Sequence, residues 1–223
     1  MPRKQIIMNA EEFFGKAIRE GELDFKRVVF KEGTDFTPYV EEWNNYLALH
    51  SFGLQRYPLE LNEACLSKII ATGIDFSYCI FNEANLPHSN FSFAKITNAQ
   101  FISANLENIN LSDANLLNTN FVSANLENSN LRNSNFYGST LMGAKFTKAD
   151  ASYANFGFAD FKNTSLSKTD FSDANLKGAE NLEKAIGLGS ALFNINTKVT
   201  AEEKRLIFKA VKKQIKSIPI KGY

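Results

Sequence analysis

The sequence predicts an all-β solenoid, a four-sided β-helix of about six coils with helices at both ends. Two observations carry that expectation. From Phe76 to Leu176 every fifth residue is large and apolar except Ala151, twenty-one positions in one unbroken phase. Two residues before each stands a small one, as at Ala84, Ser89, Ala94, Ala104, Ala124 and Ser134, with Ile74 and Ile109 the largest exceptions. A helix would smear such a pattern round its circumference, and a strand would send alternate repeats to opposite faces. A chain that turns a corner once per repeat keeps both positions inward. Four repeats then close a square of twenty residues, and successive squares stack through backbone hydrogen bonds. The small position follows from close packing, since two inward side chains share one short wall.

The residue between the small and large positions is usually Asn or Asp, as at Asn85, Asn105, Asn125, Asp150 and Asp170. Their short side chains bond to nearby backbone, so they are expected at the corners. The runs Ser-Ala-Asn-Leu-Glu at 103–107 and 123–127, and Asp-Ala-Asn-Leu at 113–116 and 173–176, resemble the pentapeptide repeat proteins. The resemblance covers about half the chain and implies a right-handed quadrilateral β-helix. It implies little about function, because the repeated residues are the structural ones. One branch of that family protects type II topoisomerases such as DNA gyrase from quinolones by imitating duplex DNA, and dimerises through a C-terminal helix. That reading is the alternative here.

Residues 1–58 are expected to form an N-terminal cap. Asn9 and Glu12 have capping-box spacing ahead of a helix over 9–20, with Phe13, Phe14, Ala17 and Ile18 on one face. The segments Glu22–Phe25 and Val28–Phe30 read as two pentapeptides in another phase. Thr37-Pro38 reads as a cap and first-turn proline of a second helix to about Ser51, with Val40, Trp43 and Leu47 buried and Glu41, Glu42, Asn44 and Asn45 wet. The regular phase resumes at Leu59, so the β-helix is expected over 59–178, on the order of 29 Å long at ~4.8 Å per coil. After Gly178 the phase slips, and residues 179–223 are expected to form a C-terminal cap. Thr200 and Glu203 open a helix to about Ser217, with Ile207, Val211, Ile215 and Ile218 as its apolar stripe and Phe208 beside it.

Composition narrows the function classes. The 223 residues carry a formal charge of +1, with no bulk pull toward nucleic acid. The apolar start before Asn9 is too short for a secretory signal and no run approaches a membrane span, so the default compartment is the cytoplasm. Cys79 holds a small inward position and is expected to be a buried free thiol, beside Cys65 as the second cysteine. His50 has no partner ligands at metal spacing. Asp150 and Asp170 stack twenty residues apart, but Asp alternates with Asn at that position and so reads as structural rather than acid–base. No phosphate loop or Cys/His cluster is present, and neither a catalytic residue nor a cofactor is expected.

Function is therefore expected in what the walls display, as a non-catalytic protein-interaction scaffold. The position after the large residue points outward, and Ile102, Leu117, Val122, Tyr137 and Met142 place apolar residues there as a candidate protein-contact patch. The aromatic pairs Tyr78 with Phe93 and Tyr153 with Phe158 are expected near the ends, under the caps. A second candidate is the basic C-terminal helix with Arg205, Lys209, Lys212, Lys213 and Lys216, which reads as a cap with a solvated lysine face or as a surface for a membrane, an acidic partner or a homodimer. Residues 74–178 hold nine acidic and seven basic side chains, a net of −2, too little to imitate rows of phosphates.

Overall fold

The computed structural model describes residues 6–20, 24–50 and 59–217, with side chains to residue 47 in the second segment and to residue 214 in the third. Its centre is a four-sided β-helix in which each strand bridges, in parallel, the residue twenty positions later. Wall A carries Asp75, Lys95, Asn115, Asn135, Asn155 and Asn175 at its midline. Wall B carries Ile80, Gln100, Asn120, Thr140 and Asp160, wall C Asn85, Asn105, Asn125, Lys145 and Ser165, and wall D Asn90, Asn110, Asn130, Asp150 and Asp170.

Every inward position from Phe76 to Leu176 is buried. Phe81, Phe101 and Phe121 stack as one column, with ring centroids 4.8 and 5.2 Å apart and planes nearly parallel. Inward hydroxyls do not remain dry orphans: Thr119 donates to the Ile96 carbonyl at 2.8 Å and Thr169 to that of Phe146 at 2.7 Å. Cys79 is buried at its small position, and both cysteines are free thiols.

The corners correct one expectation. Asn and Asp sit at the middle of each wall, facing outward, while the two residues after the large position make the turn. The Asn side chain still closes that turn from outside, as where Asn105 Oδ1 accepts the Glu107 N–H at 3.3 Å. The second corner residue has φ near +60°, as at Glu83, Asn108 and Ser123. That is the left-handed position a type II turn requires.

Parallel pairing extends beyond 59–178 at both ends. Asp24, Val29 and Asp35 bridge Glu60, Cys65 and Ile70, so 24–36 already form three walls of a coil. Strand β1 (Ile6–Ile7) pairs in parallel with β2 (Val28–Val29) above them. At the other end Glu180, Ile186, Leu192 and Lys198 bridge Asp160, Ser165, Asp170 and Asn175. Extra residues loop out at 3₁₀ turns over Leu182–Lys184 and Leu188–Ser190, and these produce the phase slip.

The N-terminal coil lacks its fourth wall, and α2 (Val40–His50) fills the gap. Trp43 donates its indole N–H to the Asp75 carbonyl, and Asn44 Oδ1 accepts the Asp75 N–H. Asn44 is therefore a structural contact and not a wet residue. Thr37 lies within a 3₁₀ turn, Thr37–Tyr39, instead of capping the helix, and its N–H donates to Asp35 Oδ1 at 2.8 Å. Helix α1 (Ala10–Gly15), capped by Asn9 and continued by a π-turn over Lys16–Glu20, lays Phe13 and Phe14 on Phe25, Phe36 and Tyr39. The His50 side chain lies outside the described residues.

Helix α3 (Ala201–Ser217) closes the other end. Glu203 and Thr200 make the reciprocal capping box, and the other Glu203 oxygen accepts the Gly178 N–H at 2.7 Å. This bond fixes how the helix is rotated. Buried Glu203 and half-buried Leu206, Ile207 and Ala210 face the last coil, while Phe208 is exposed. The expected stripe through Ile207 and Val211 is thus turned partly away. The side chain of Ile215, and Ile218, lie outside the described residues.

Candidate functional site

The displayed surface follows from the turn chemistry. Each corner shows two side chains, and a bulky residue at the second, left-handed position stands away from the wall. Such a residue is an outlier, costing roughly 1–2 kcal/mol against glycine there. Four aromatic residues take this position: Tyr78 (φ 66°), Phe93 (59°), Tyr153 (62°) and Phe158 (57°). They are 45, 64, 53 and 56 % exposed, and Tyr137, at the first corner position, is 41 % exposed. They do not lie under the caps, where the sequence places them.

All five border one face. Phe93 and Tyr153 are on the corner that enters wall A, and Tyr78, Tyr137 and Phe158 are on the corner that leaves it. Near the C-terminal end they form a built surface. Tyr137 meets Phe158 with ring centroids 5.4 Å apart. Gly157 gives Tyr137 its room, since a Cβ there would lie 3.1 Å from the ring, and Gly178 does the same for Phe158 at 2.8 Å. Across the wall the Arg132 guanidinium lies 5.2 Å from the Tyr153 ring centre. Arg132 also donates to Ser152 Oγ at 2.6 Å and pairs with Asp150 at 3.3 Å. Burial pushes the Asp150 carboxyl up, but the Ser152 hydroxyl and N–H and the Arg132 guanidinium outweigh it and hold the group below the ordinary carboxylate value.

Between the aromatic corners runs an amide ladder. Asn175 donates to Asn155 Oδ1 at 2.8 Å, Asn155 to Asn135 at 3.1 Å and Asn135 to Asn115 at 3.3 Å. The same oxygens accept backbone N–H groups, those of Gly157, Tyr137 and Leu117. Lower on the wall Lys95 pairs with Asp75 at 3.1 Å.

The patch expected from the sequence lies on the two corners of wall B. Ile102, Leu117, Val122 and Met142 are half-buried, each stacked within its corner column, and Tyr137 alone is exposed. Tyr137 stands on the corner shared by walls A and B, so it joins the expected patch to the aromatic face. Sequence reasoning singled out the pairs Tyr78 with Phe93 and Tyr153 with Phe158 but did not bring them together. Their positions modulo twenty, 18 and 13, carry that signal. Of the basic helix, Arg205, Lys209, Lys212 and Lys213 are exposed, and the Lys216 side chain lies outside the described residues. Lys209 and Lys213 flank a groove of about 570 Å³ between α3 and the last coil, floored by Leu182, Leu188 and Leu206. Among the described residues there is no group of three metal-ligating side chains, and no helix is long and apolar enough to cross a membrane.

Comparison with known proteins follows the repeats. The full-length plasmid-mediated fluoroquinolone resistance protein QnrB1 is 15 % identical, with 92 % of this chain and 94 % of that one covered and a TM-score of 0.34. HetL, a pentapeptide repeat protein involved in heterocyst differentiation regulation in the cyanobacterium Nostoc, is 24 % identical over 72 % of this chain and 93 % of its own, with a TM-score of 0.32. Rfr23 from the cyanobacterium Cyanothece is 20 % identical over 72 % of this chain and 99 % of its own, with a TM-score of 0.20. No curated protein sequence matches the chain. The family model of pentapeptide repeats matches eight copies, over residues 72–108, 109–147 and 139–178. With its five-residue phase, square coils and matching repeats, the chain belongs to the pentapeptide repeat family.

Proposed function

We propose that this protein is a non-catalytic interaction scaffold, a rigid column that engages a protein partner through its walls. The observation that carries the reading is the collection, on the borders of wall A, of all five exposed corner aromatics among the described residues. Exposed single apolar residues need no explanation, but five rings bordering one face, four of them at a costly backbone position, mark a contact surface. The contact surface is centred on Tyr137 and extends round its corner to Ile102, Leu117, Val122 and Met142. Enzymatic chemistry has no support in this arrangement, because the hydroxyls at the small positions are turned inward and Asp150, Asp160 and Asp170 are tied into turns.

The test is a pull-down from the native host with the whole chain as bait, against the Val122→Lys/Met142→Lys variant. Loss of a captured partner with unchanged thermal stability supports the reading. Loss of stability in the monomer means that the patch is covered by the chain itself, and removes it from the contact surface. Imitation of duplex DNA requires a strongly negative surface, and the near balance of charge over 74–178 weighs against it. Purified protein is expected to leave gyrase supercoiling unaffected. Potent inhibition, lost on truncation before Thr200, would replace the scaffold reading with the DNA-mimic one and make α3 a dimer arm.

A further inference from the structure

Wall A offers a partner an unusual combination of groups. The Asn115, Asn135 and Asn155 side-chain oxygens each accept two hydrogen bonds, one from the next amide and one from a backbone N–H. A carbonyl oxygen has two lone pairs, so these acceptors are saturated. The backbone bonds also settle which amide atom is oxygen. Each amide nitrogen of Asn135, Asn155 and Asn175 uses one of its two hydrogens in the ladder and keeps one. The midline of the wall is therefore a row of donors, one per coil, bordered by aromatic rings.

The charge on this face nearly cancels. Asp75, Asp113 and Asp173 stand against Lys95, Arg132, Lys177 and Lys198, a net of one positive charge over the whole wall. One excess positive charge on a wall of this length is too little to hold a polyanion, which sets nucleic acid and anionic lipid aside. The fitting ligand is uncharged, carries acceptors without competing donors, and presents flat apolar rings.

From this we infer that wall A binds a proline-rich segment in the polyproline II conformation; the inference rests on the scaffold reading and specifies its partner. Proline has a carbonyl but no N–H, and its ring packs on aromatic faces. The repeats also match. A polyproline II helix has three residues per turn and rises about 9.3 Å per turn. Two coils of the column advance about 9.6 Å. A segment lying along the axis sets one carbonyl per turn against Asn175 and then Asn135. Its rings flank the midline toward Tyr137 and Phe158 on one border and Tyr153 on the other.

The experiment titrates the full chain with a ten-residue oligoproline, with a Gly-Ser decapeptide and cellohexaose as controls. The key variant is Tyr153→Asn/Phe158→Asn. Asparagine already occupies these corners at Asn118 and Asn133 with φ of 55° and 57°, so the variant folds without new strain. Binding of oligoproline alone is expected, weakened at least ten-fold in this variant with no fall in melting temperature. Asn155→Leu, which removes a donor, is expected to weaken it about five-fold. No oligoproline binding at millimolar peptide, equal binding by the double variant, or preference for cellohexaose overturns the inference. If the double variant loses a host protein partner while oligoproline fails to bind, the scaffold reading stands and the proline-rich assignment alone falls.

Discussion

Trp43 donates its indole N–H to the main-chain carbonyl of Asp75 at 2.7 Å, in the place of a backbone N–H from a strand that the first coil lacks. Beside it, Asn44 Oδ1 accepts the Asp75 N–H at 2.9 Å, replacing the missing carbonyl. Two side chains on a helix thus complete the hydrogen bonding of a buried strand edge. Trp43→Phe keeps most of the apolar contact with Phe14 and Phe76 but leaves the Asp75 carbonyl without its donor. A loss of about 1–3 kcal/mol is expected in urea unfolding. An unchanged midpoint would show that water replaces the indole.

Phe121 lies fully buried between Phe101 and Phe136. Phe121→Ala removes the last ring of the Phe81–Phe101–Phe121 stack, where the walls are held by bridges on every side and cannot collapse. The expected cost is about 3–5 kcal/mol, read from chemical denaturation.

Phe93 combines 64 % exposure with a φ of 59°. Replacing it by Asn relieves the clash of a bulky side chain in the left-handed region and gives up little burial. Phe93→Asn should therefore raise stability by about 1 kcal/mol. Destabilisation would show that the ring packs in solution more tightly than its exposure implies.

Asp150 has a folded-state pKa below its ordinary value of 3.8. Its contribution to stability is present above the unfolded value and is lost as pH falls through the folded one. Melting temperature measured from pH 5 downward should fall less steeply in Asp150→Asn than in the wild type. The effect is modest, because the Arg132 and Asp150 side chains are 46 and 41 % exposed and solvent screens their attraction. Parallel curves would mean that neither the Ser152 bonds nor the Arg132 pair lowers the Asp150 pKa in solution.

The repeats made the fold legible because each inward residue stacks on those twenty positions before and after it. Phe81, Phe101 and Phe121 could be placed in one column from their numbers alone. The ends were less legible, because their rules are not periodic. Trp43 reads as a buried helix residue, but nothing local says that its N–H substitutes for a strand. The rotation of α3 escaped a stripe-based reading, because a buried carboxylate bond from Glu203 to the Gly178 N–H outranks the apolar pattern. The corner aromatics were visible one by one. Assembling them needed the turn geometry, which separates the residue half-covered in its column from the one that stands clear.

The twenty-residue register also bears on how such a molecule can change its length. A duplicated coil placed between Asn82 and Gly178 would meet walls of its own geometry above and below. Neither α2 nor α3 would have to shift relative to the coil it touches. Insertions that are not a multiple of twenty residues throw the inward residues out of their columns, unless they bulge at a corner as those after Glu180 do. Length is thus quantised in steps of one strand spacing, and selection can extend or shorten the reach of the column while both ends stay intact.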